Sequence, residues 1–170
     1  MKLGMINTSH GVRFARPPGY TGLCRIRSYQ VAEFRSAPVV RDSDRELVTE
    51  FLFLLMEQMQ TCQFAKEDRS GGRSKIKDND IGFPGMQCKH CHGKAGFGRY
   101  FPTSVHNLSL ANSDRNIYNH IQKCRRCPVY IKAELDRLSR YQGQCKNRRG
   151  SRKLFFKQVW GRMHGSTSQS

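Results

Sequence analysis

Four residues constrain this chain more than anything else in it. Cys88-Lys89-His90-Cys91 holds two cysteines with two residues between them, and after 28 intervening residues His120 and Cys124 follow, four positions apart. A Cys-x2-Cys turn aims both sulfurs at one point, and an i, i+4 pair on a helix projects from the same face. Three thiolates and one imidazole suit a tetrahedral structural zinc site, with Zn–S about 2.3 Å and Zn–N about 2.0–2.1 Å. The segment from 81 to 127 contains five glycines and is too short to build a core of its own. One bound Zn²⁺ would therefore supply much of its folding free energy.

Rival readings of the same residues exist. Cys124-x2-Cys127 would give a second Cys-x2-Cys pair, so Cys127 is the alternative fourth ligand, although Pro128 predicts a helix end close to it. His90 and His92 read as exposed knuckle residues, with ligation as their alternative. A thioredoxin-like redox motif needs a βαβ setting, which the pattern lacks. A zinc deaminase pairs Pro-Cys-x2-Cys with an upstream His-x-Glu; here the proline follows the second pair and no His-x-Glu occurs. The chain has seven cysteines, and the odd count argues against a fully paired disulfide scaffold. Met1 to Tyr20 has no apolar run of signal-peptide length, and no stretch approaches the roughly 20 apolar residues of a membrane span. The expectation is an intracellular protein with reduced thiols and no membrane partner.

A metal also fits the composition. Hydrophobic residues make up 37% of the 170, below the usual 45–50% or so, so one modest core is expected and a staple would help it. Its best source is residues 44–63. Ser43 or Asp44 can cap that segment, and Leu47, Phe51, Leu54, Leu55, Met59 and Cys62 recur at helical spacing. Residues 65–80 read as a charged linker, and Phe83–Gln87 and Gly98–Phe101 as short strands. Ser113 predicts the start of a helix running to about Lys123, with Ile117, His120, Ile121 and Cys124 on one face. Two more helices are predicted over 129–141 and 151–164, the second carrying Phe155, Phe156 and Trp160 against the 44–63 helix. Residues 1–40 read as a basic, disordered arm, with a mitochondrial transit peptide as the alternative, and 166–170 as a tail. The predicted fold is small α+β: a zinc-stabilised ββα-like module packed on a few helices, in one domain spanning 41–165.

Charge narrows the function. The formal net charge is +17, and Lys123 to Arg162 carries thirteen basic residues against two acids, while the 42–64 segment is acidic. A surplus this local favours a polyanion. Lys123, Arg125 and Arg126 lie beside the proposed ligands, and Lys146, Arg148, Arg149, Arg152 and Lys153 form a second run. Arg99 stands next to Tyr100 and Phe101, an arginine–aromatic interleaving seen in single-strand binders, although the aromatics also suit a small core beside the metal.

Longer motifs run through these elements: Gly82-Phe83-Pro84-Gly85-Met86-Gln87-Cys88-Lys89-His90-Cys91, then Gly98-Arg99-Tyr100-Phe101-Pro102-Thr103-Ser104-Val105, then His120-Ile121 and Cys124, then Phe155-Phe156-x-x-Val159-Trp160. Over residues 40–165 the chain resembles a group of microalgal proteins with a zinc-finger-like (CCHC) module ending in a Phe-Phe-x-x-Val-Trp helix. The resemblance implies metal ligation by Cys88, Cys91, His120 and Cys124. It favours Cys124 over Cys127, whose position is not always cysteine in that group.

The leading expectation is a non-enzymatic, nuclear zinc-binding domain that engages DNA or RNA through its basic C-terminal surface and takes no small-molecule substrate; mitochondrial and cytoplasmic locations are the alternatives. A zinc-stabilised protein-interaction adaptor is the second reading. A metal-dependent nuclease using His90, His92 or His106 is the third. It is short of carboxylates, because Asp114 is the only acid between Ile81 and Ala133.

Overall fold

A computed structural model describes residues 34–70, 79–94, 96–141 and 150–165. The chain divides into two compact units, Met1–Ala32 and Glu33–Ser170, and every described residue belongs to the second. Most of the predicted arm, residues 71–78 of the linker, the loop with Cys145, Lys146, Arg148 and Arg149, and the 166–170 tail lie outside the described residues.

The expected 44–63 helix is three elements. Asp42–Leu47 is a 3-10 helix. Thr49 then starts a new helix, its hydroxyl accepting the Leu52 N–H at 3.3 Å, and α1 runs over Glu50–Glu57. Gln58 closes that helix by donating its backbone N–H to Leu55 O and its side-chain amide to Leu54 O. Met59–Gln63 continues as strand β1. The apolar periodicity through Cys62 is real, but pairing with the next strand overrides it, as tertiary context commonly does over so short a run.

Strand β2 is Pro84–Cys88 and β3 is Arg99–Tyr100, giving a three-stranded antiparallel sheet of order β1-β2-β3. The register pairs Met59 with Cys88, Thr61 with Met86 and Gln63 with Pro84. Pro84, with no N–H to give, sits at the first position of the central strand, where a proline is tolerated. Gly85 is set by close packing: a Cβ there would lie 2.4 Å from Phe101 Cδ1 and 2.6 Å from the Tyr100 carbonyl.

Helix α2 is Val105–Leu108 and α3 is Ala111–Lys123. The predicted Ser113 cap is displaced, since α3 begins after Leu110 and the Ser113 hydroxyl donates to Asn107 O instead. Helix α4 is Val129–Tyr141 and α5 is Ser151–Met163, matching the two predicted C-terminal helices to within a residue. Helix α5 packs on the 3-10 helix, α2, β1 and β2, while α1 packs on α3 and α4. Between these layers Phe51, Leu52, Phe53, Leu55 and Met56 meet Ile117, Ile121, Leu135, Phe155, Phe156, Val159 and Met163 in one buried cluster, with Trp160 packed against it. Phe64, Phe101 and Cys62 form a small second one.

Two boundaries need correction. The arm does not extend to residue 40: Ala37 exchanges bonds with Thr61, Thr61 N–H to Ala37 O at 2.7 Å and Ala37 N–H to Thr61 Oγ1 at 2.9 Å. Val39 and Val40 are buried in the main cluster. Pro38 holds the chain extended there, and the valine pair supplies the apolar surface that lets it cover the free edge of β1. Nor is residue 65 onward simply linker. Lys66–Ser70 is a 3-10 helix in which Asp68 is buried and accepts the Ala65 N–H at 2.9 Å.

Candidate metal centre

Strand β2 delivers Cys88 to the end of the sheet, where its N–H donates to Gly98 O at 2.9 Å. The chain then turns tightly. Lys89 N–H donates to Gln58 O and His92 N–H to Cys88 O. His92 adopts φ 58°, a left-handed conformation uncommon outside glycine. Gly93 follows with its N–H 3.4 Å from Cys91 Sγ, and Lys94 and Phe97 exchange backbone bonds to return the chain to β3. From the other side, α3 presents His120 in its last turn and ends at Cys124, whose N–H bonds Ile121 O.

The side-chain ligand atoms of Cys88, Cys91, His120 and Cys124 all lie within 4.8 Å of one another. Cys88, His120 and Cys124 are buried and Cys91 is half-buried. His120 Nε2 lies 3.5 Å from Cys91 Sγ. Ligand atoms around a tetrahedral zinc with bonds of about 2.0–2.3 Å are spaced about 3.5–3.8 Å apart, so this edge already has the spacing an ion requires. Soft sulfur donors with one imidazole suit a thiophilic metal such as zinc and not Mg²⁺ or Ca²⁺.

The electrostatics suit a thiol cluster that exchanges protons for a cation. Burial pushes the Cys88 thiol up to about 12, against the pull of the Cys91 and His90 N–H groups. At Cys124 burial also opposes ionisation. The backbone N–H groups of Arg126 and Cys127 and the thiols of Cys91 and Cys88 outweigh it and lower the value, as hydrogen bonds to a charged form do. Burial lowers His120 below the ordinary histidine range, leaving the neutral imidazole that a metal needs.

Cys127 is buried next to this group and stands outside it, its sulfur directed at the Pro128 carbonyl at 3.8 Å. Burial raises its thiol, with Cys124 adding to the effect and Lys132 and Lys89 opposing it. His90 Nε2 pairs with Gln58 Oε1 and His92 Nδ1 with Gln60 Nε2, each at 3.0 Å. His106 lies exposed on α2. None of these three belongs to the group of ligand atoms.

One contributor has no signal in Cys/His spacing. Gly98 adopts φ +76°, and a Cβ on it would stand 2.4 Å from His120 Cε1 and 2.7 Å from Nε2. The Phe97 ring meets the imidazole edge-on, centroids 4.5 Å apart. His120 Nδ1 is buried with no hydrogen-bond partner among the described residues, so packing by Phe97 and Gly98 takes over the orienting role that an acceptor usually fills. The Gly-Phe-Gly run at 96–98 is the only sequence hint of it.

The predicted basic contacts divide. Lys123, Arg125, Arg126 and Lys153 are exposed, and Lys146, Arg148 and Arg149 fall outside the described residues. Two others are corrected. Arg99 turns inward, pairing Nε with Asp68 at 2.8 Å and donating to Gln87 Oε1 and Gln63 O. Arg152 pairs with Asp114 at 2.6 Å and lies over the Phe156 ring. Both guanidinium groups are spent on buried carboxylates. Tyr100 donates its hydroxyl to Asn116 O, and Phe101 is buried edge-on to Phe64, so neither ring is free to stack. The sequence also passed over Lys89 and Lys94, exposed on the knuckle.

No protein-family model, curated protein or solved structure matches the chain.

Proposed function

We propose that Cys88, Cys91, His120 and Cys124 hold one structural Zn²⁺, and that the ion fixes a basic rim that binds nucleic acid. The observation that carries this reading is positional. The knuckle that provides Cys88 and Cys91 also provides exposed Lys89 and Lys94, and the α3 terminus that provides Cys124 provides exposed Lys123, Arg125 and Arg126. Four protein ligands leave no coordination position for a substrate, which is the arrangement of a structural site. The rim is an electrostatic footprint for phosphates, and binding by it releases counterions. The Lys146, Arg148 and Arg149 run adds charge to the same half of the sequence.

Two measurements test this. Metal analysis of the purified chain is expected to return one zinc per chain, retained in Cys127→Ser and lost in Cys88→Ser and Cys124→Ser; zinc retained in both of the latter would refute the ligand set. Anisotropy titrations of labelled oligonucleotides across salt are expected to give a log K versus log[salt] slope that becomes shallower by about 0.9 on duplex DNA for each rim cation that contacts a phosphate and is replaced by alanine. Affinity no higher than that of an equally charged basic peptide would overturn the nucleic-acid reading.

A further inference from the structure

Immediately after Cys124 the chain makes a turn, Arg125-Arg126-Cys127-Pro128, and enters α4. Two side chains of that first turn are left largely to solvent: Val129 is 79% and Tyr130 74% exposed. Tyr130 makes no hydrogen bond or ring contact with another described residue, unlike Tyr100 and Tyr118, whose hydroxyls are both bonded. The backbone beneath it is well fixed. Gln122 on α3 donates to the Lys132 carbonyl at 3.0 Å, Lys132 N–H bonds Pro128 O, and Cys127 and Leu135 are buried. An aromatic ring is thus held on a firm support and offered to solvent.

Its surroundings select the occupant. Arg125 and Arg126 are exposed just before it, and Lys89 and Lys132 both lie close enough to act on Cys127. The acids of α4 are engaged: Glu134 with Arg137, and Asp136 with Arg140. The local field is positive, so the complementary partner is a polyanion that also offers flat apolar faces.

We infer that Tyr130, with Arg125 and Arg126 beside it, is a stacking platform for an unpaired base, and that the partner is single-stranded nucleic acid in preference to duplex. The inference rests on the nucleic-acid reading of the metal rim and adds the strandedness of the ligand. In a duplex the base faces are covered by their neighbours, and a lone exposed ring gains nothing from them. In a single strand each base has a free face, and stacking on an aromatic side chain is worth about 1–3 kcal/mol per base.

The test uses the full, zinc-loaded chain with a labelled 15-nucleotide single strand, as DNA and as RNA, and the matching 15-base-pair duplex. Tyr130→Ala is expected to weaken single-strand binding about 5- to 150-fold, the equivalent of that stacking energy. Duplex affinity and the salt slope should stay unchanged, because no phosphate contact is lost. Tyr130→Phe keeps the π face and should bind within about twofold of the parent, as the sequence-tolerant stacking of a π face implies. Equal single-strand affinity in Tyr130→Ala and the parent would overturn the platform while leaving the basic rim standing. Equal loss on single strand and duplex would overturn it as well. A parent chain that binds no probe above the basic-peptide control would remove the rim itself, and the platform with it.

Discussion

Gly98→Ala is the sharpest perturbation the metal centre allows. At φ +76° the new side chain meets two penalties. The first is conformational: a non-glycine residue held in the left-handed region costs about 1–3 kcal/mol. The second is steric, since the added carbon would lie 2.4 Å from Cε1 and 2.7 Å from Nε2 of His120, where carbon contacts prefer about 3.5–4.0 Å. Relief requires the ring or the Gly98 backbone to move by about 1 Å, whereas metal–ligand distances tolerate about 0.2 Å. Moving the backbone does not help, because the Gly98 carbonyl also accepts the Cys88 N–H, so the shift passes to a second ligand. Loss of orienting contacts around a metal-binding histidine costs about 10- to 100-fold in metal affinity, and Gly98→Ala is expected in that range. Gly82→Ala provides the control. Its φ is +91°, yet nothing lies within 4 Å of the added carbon, so it carries the conformational penalty alone. Zinc affinity is measured for both variants by competition with a chromogenic chelator, alongside the thermal midpoint. Both should lose stability, and only Gly98→Ala should lose affinity. Parent-like zinc affinity in Gly98→Ala would refute the placement of His120 in the centre.

Two further predictions concern protons and charge. Because burial holds the Cys88 thiol up to about 12 in the metal-free fold, that group is protonated at neutral pH and zinc must displace its proton. Protons and zinc therefore compete: log affinity should rise by at least about one per pH unit between pH 6.5 and 8.5, and a flat profile from the same competition assay would refute the thiol assignment. Arg162→Ala leaves Asp44, which is 1% exposed, with a buried carboxylate and no counter-charge. Breaking such a pair costs about 3–5 kcal/mol, to be read from the denaturation midpoint, and a loss under about 1 kcal/mol, the level of an exposed pair, would show that Asp44 does not depend on it.

Much of the centre was legible in the sequence because metal ligation imposes spacing rules that no other feature blurs. Cys88, Cys91, His120 and Cys124 could be read from residue type and interval, and the structure gathers those four. Helices α4 and α5 were legible for a related reason: α4 is an amphipathic run that follows Pro128, and α5 carries Phe155, Phe156, Val159 and Met163 at helical spacing between Gly150 and Gly165. The 44–63 segment was not, since an apolar residue every three or four positions serves a buried strand as well as a helix. What decided it was β2, whose Cys88 lies 29 residues from its partner Met59 at the first pairing of the ladder. Residues 37–40 were missed because Arg35, Pro38 and Arg41 masked a valine pair that covers a strand edge.

The basic surplus was legible in amount, but the sequence did not show that Arg99 and Arg152 turn to buried carboxylates. Asp44, Asp68 and Asp114 are the three aspartates buried among the described residues, and each takes an arginine from a distant part of the chain: Arg162, Arg99 and Arg152. Asp44 and Asp68 also accept a backbone N–H at the start of their own turns, so each carboxylate fixes a local turn and joins it to a remote element. A buried carboxylate needs such a partner because the cost of taking it out of water is otherwise several kcal/mol. Arginine meets that need better than lysine, with a planar fork that reaches carboxylate and carbonyl together, as Arg162 does with Asp44 and Val39 O. The fold thus consumes arginines wherever it buries an acid, and a count of charges along the sequence cannot tell these from the rest. Between Ile81 and Ala133 the only acid is Asp114, and Arg152 of α5 holds it. Of the cations in that stretch, Arg99 alone is drawn inward by a carboxylate, while Lys89, Lys94, Lys123, Arg125 and Arg126 stay exposed. The uncommitted charge collects around the Cys88, Cys91, His120 and Cys124 group because the acids that would claim it lie elsewhere in the chain.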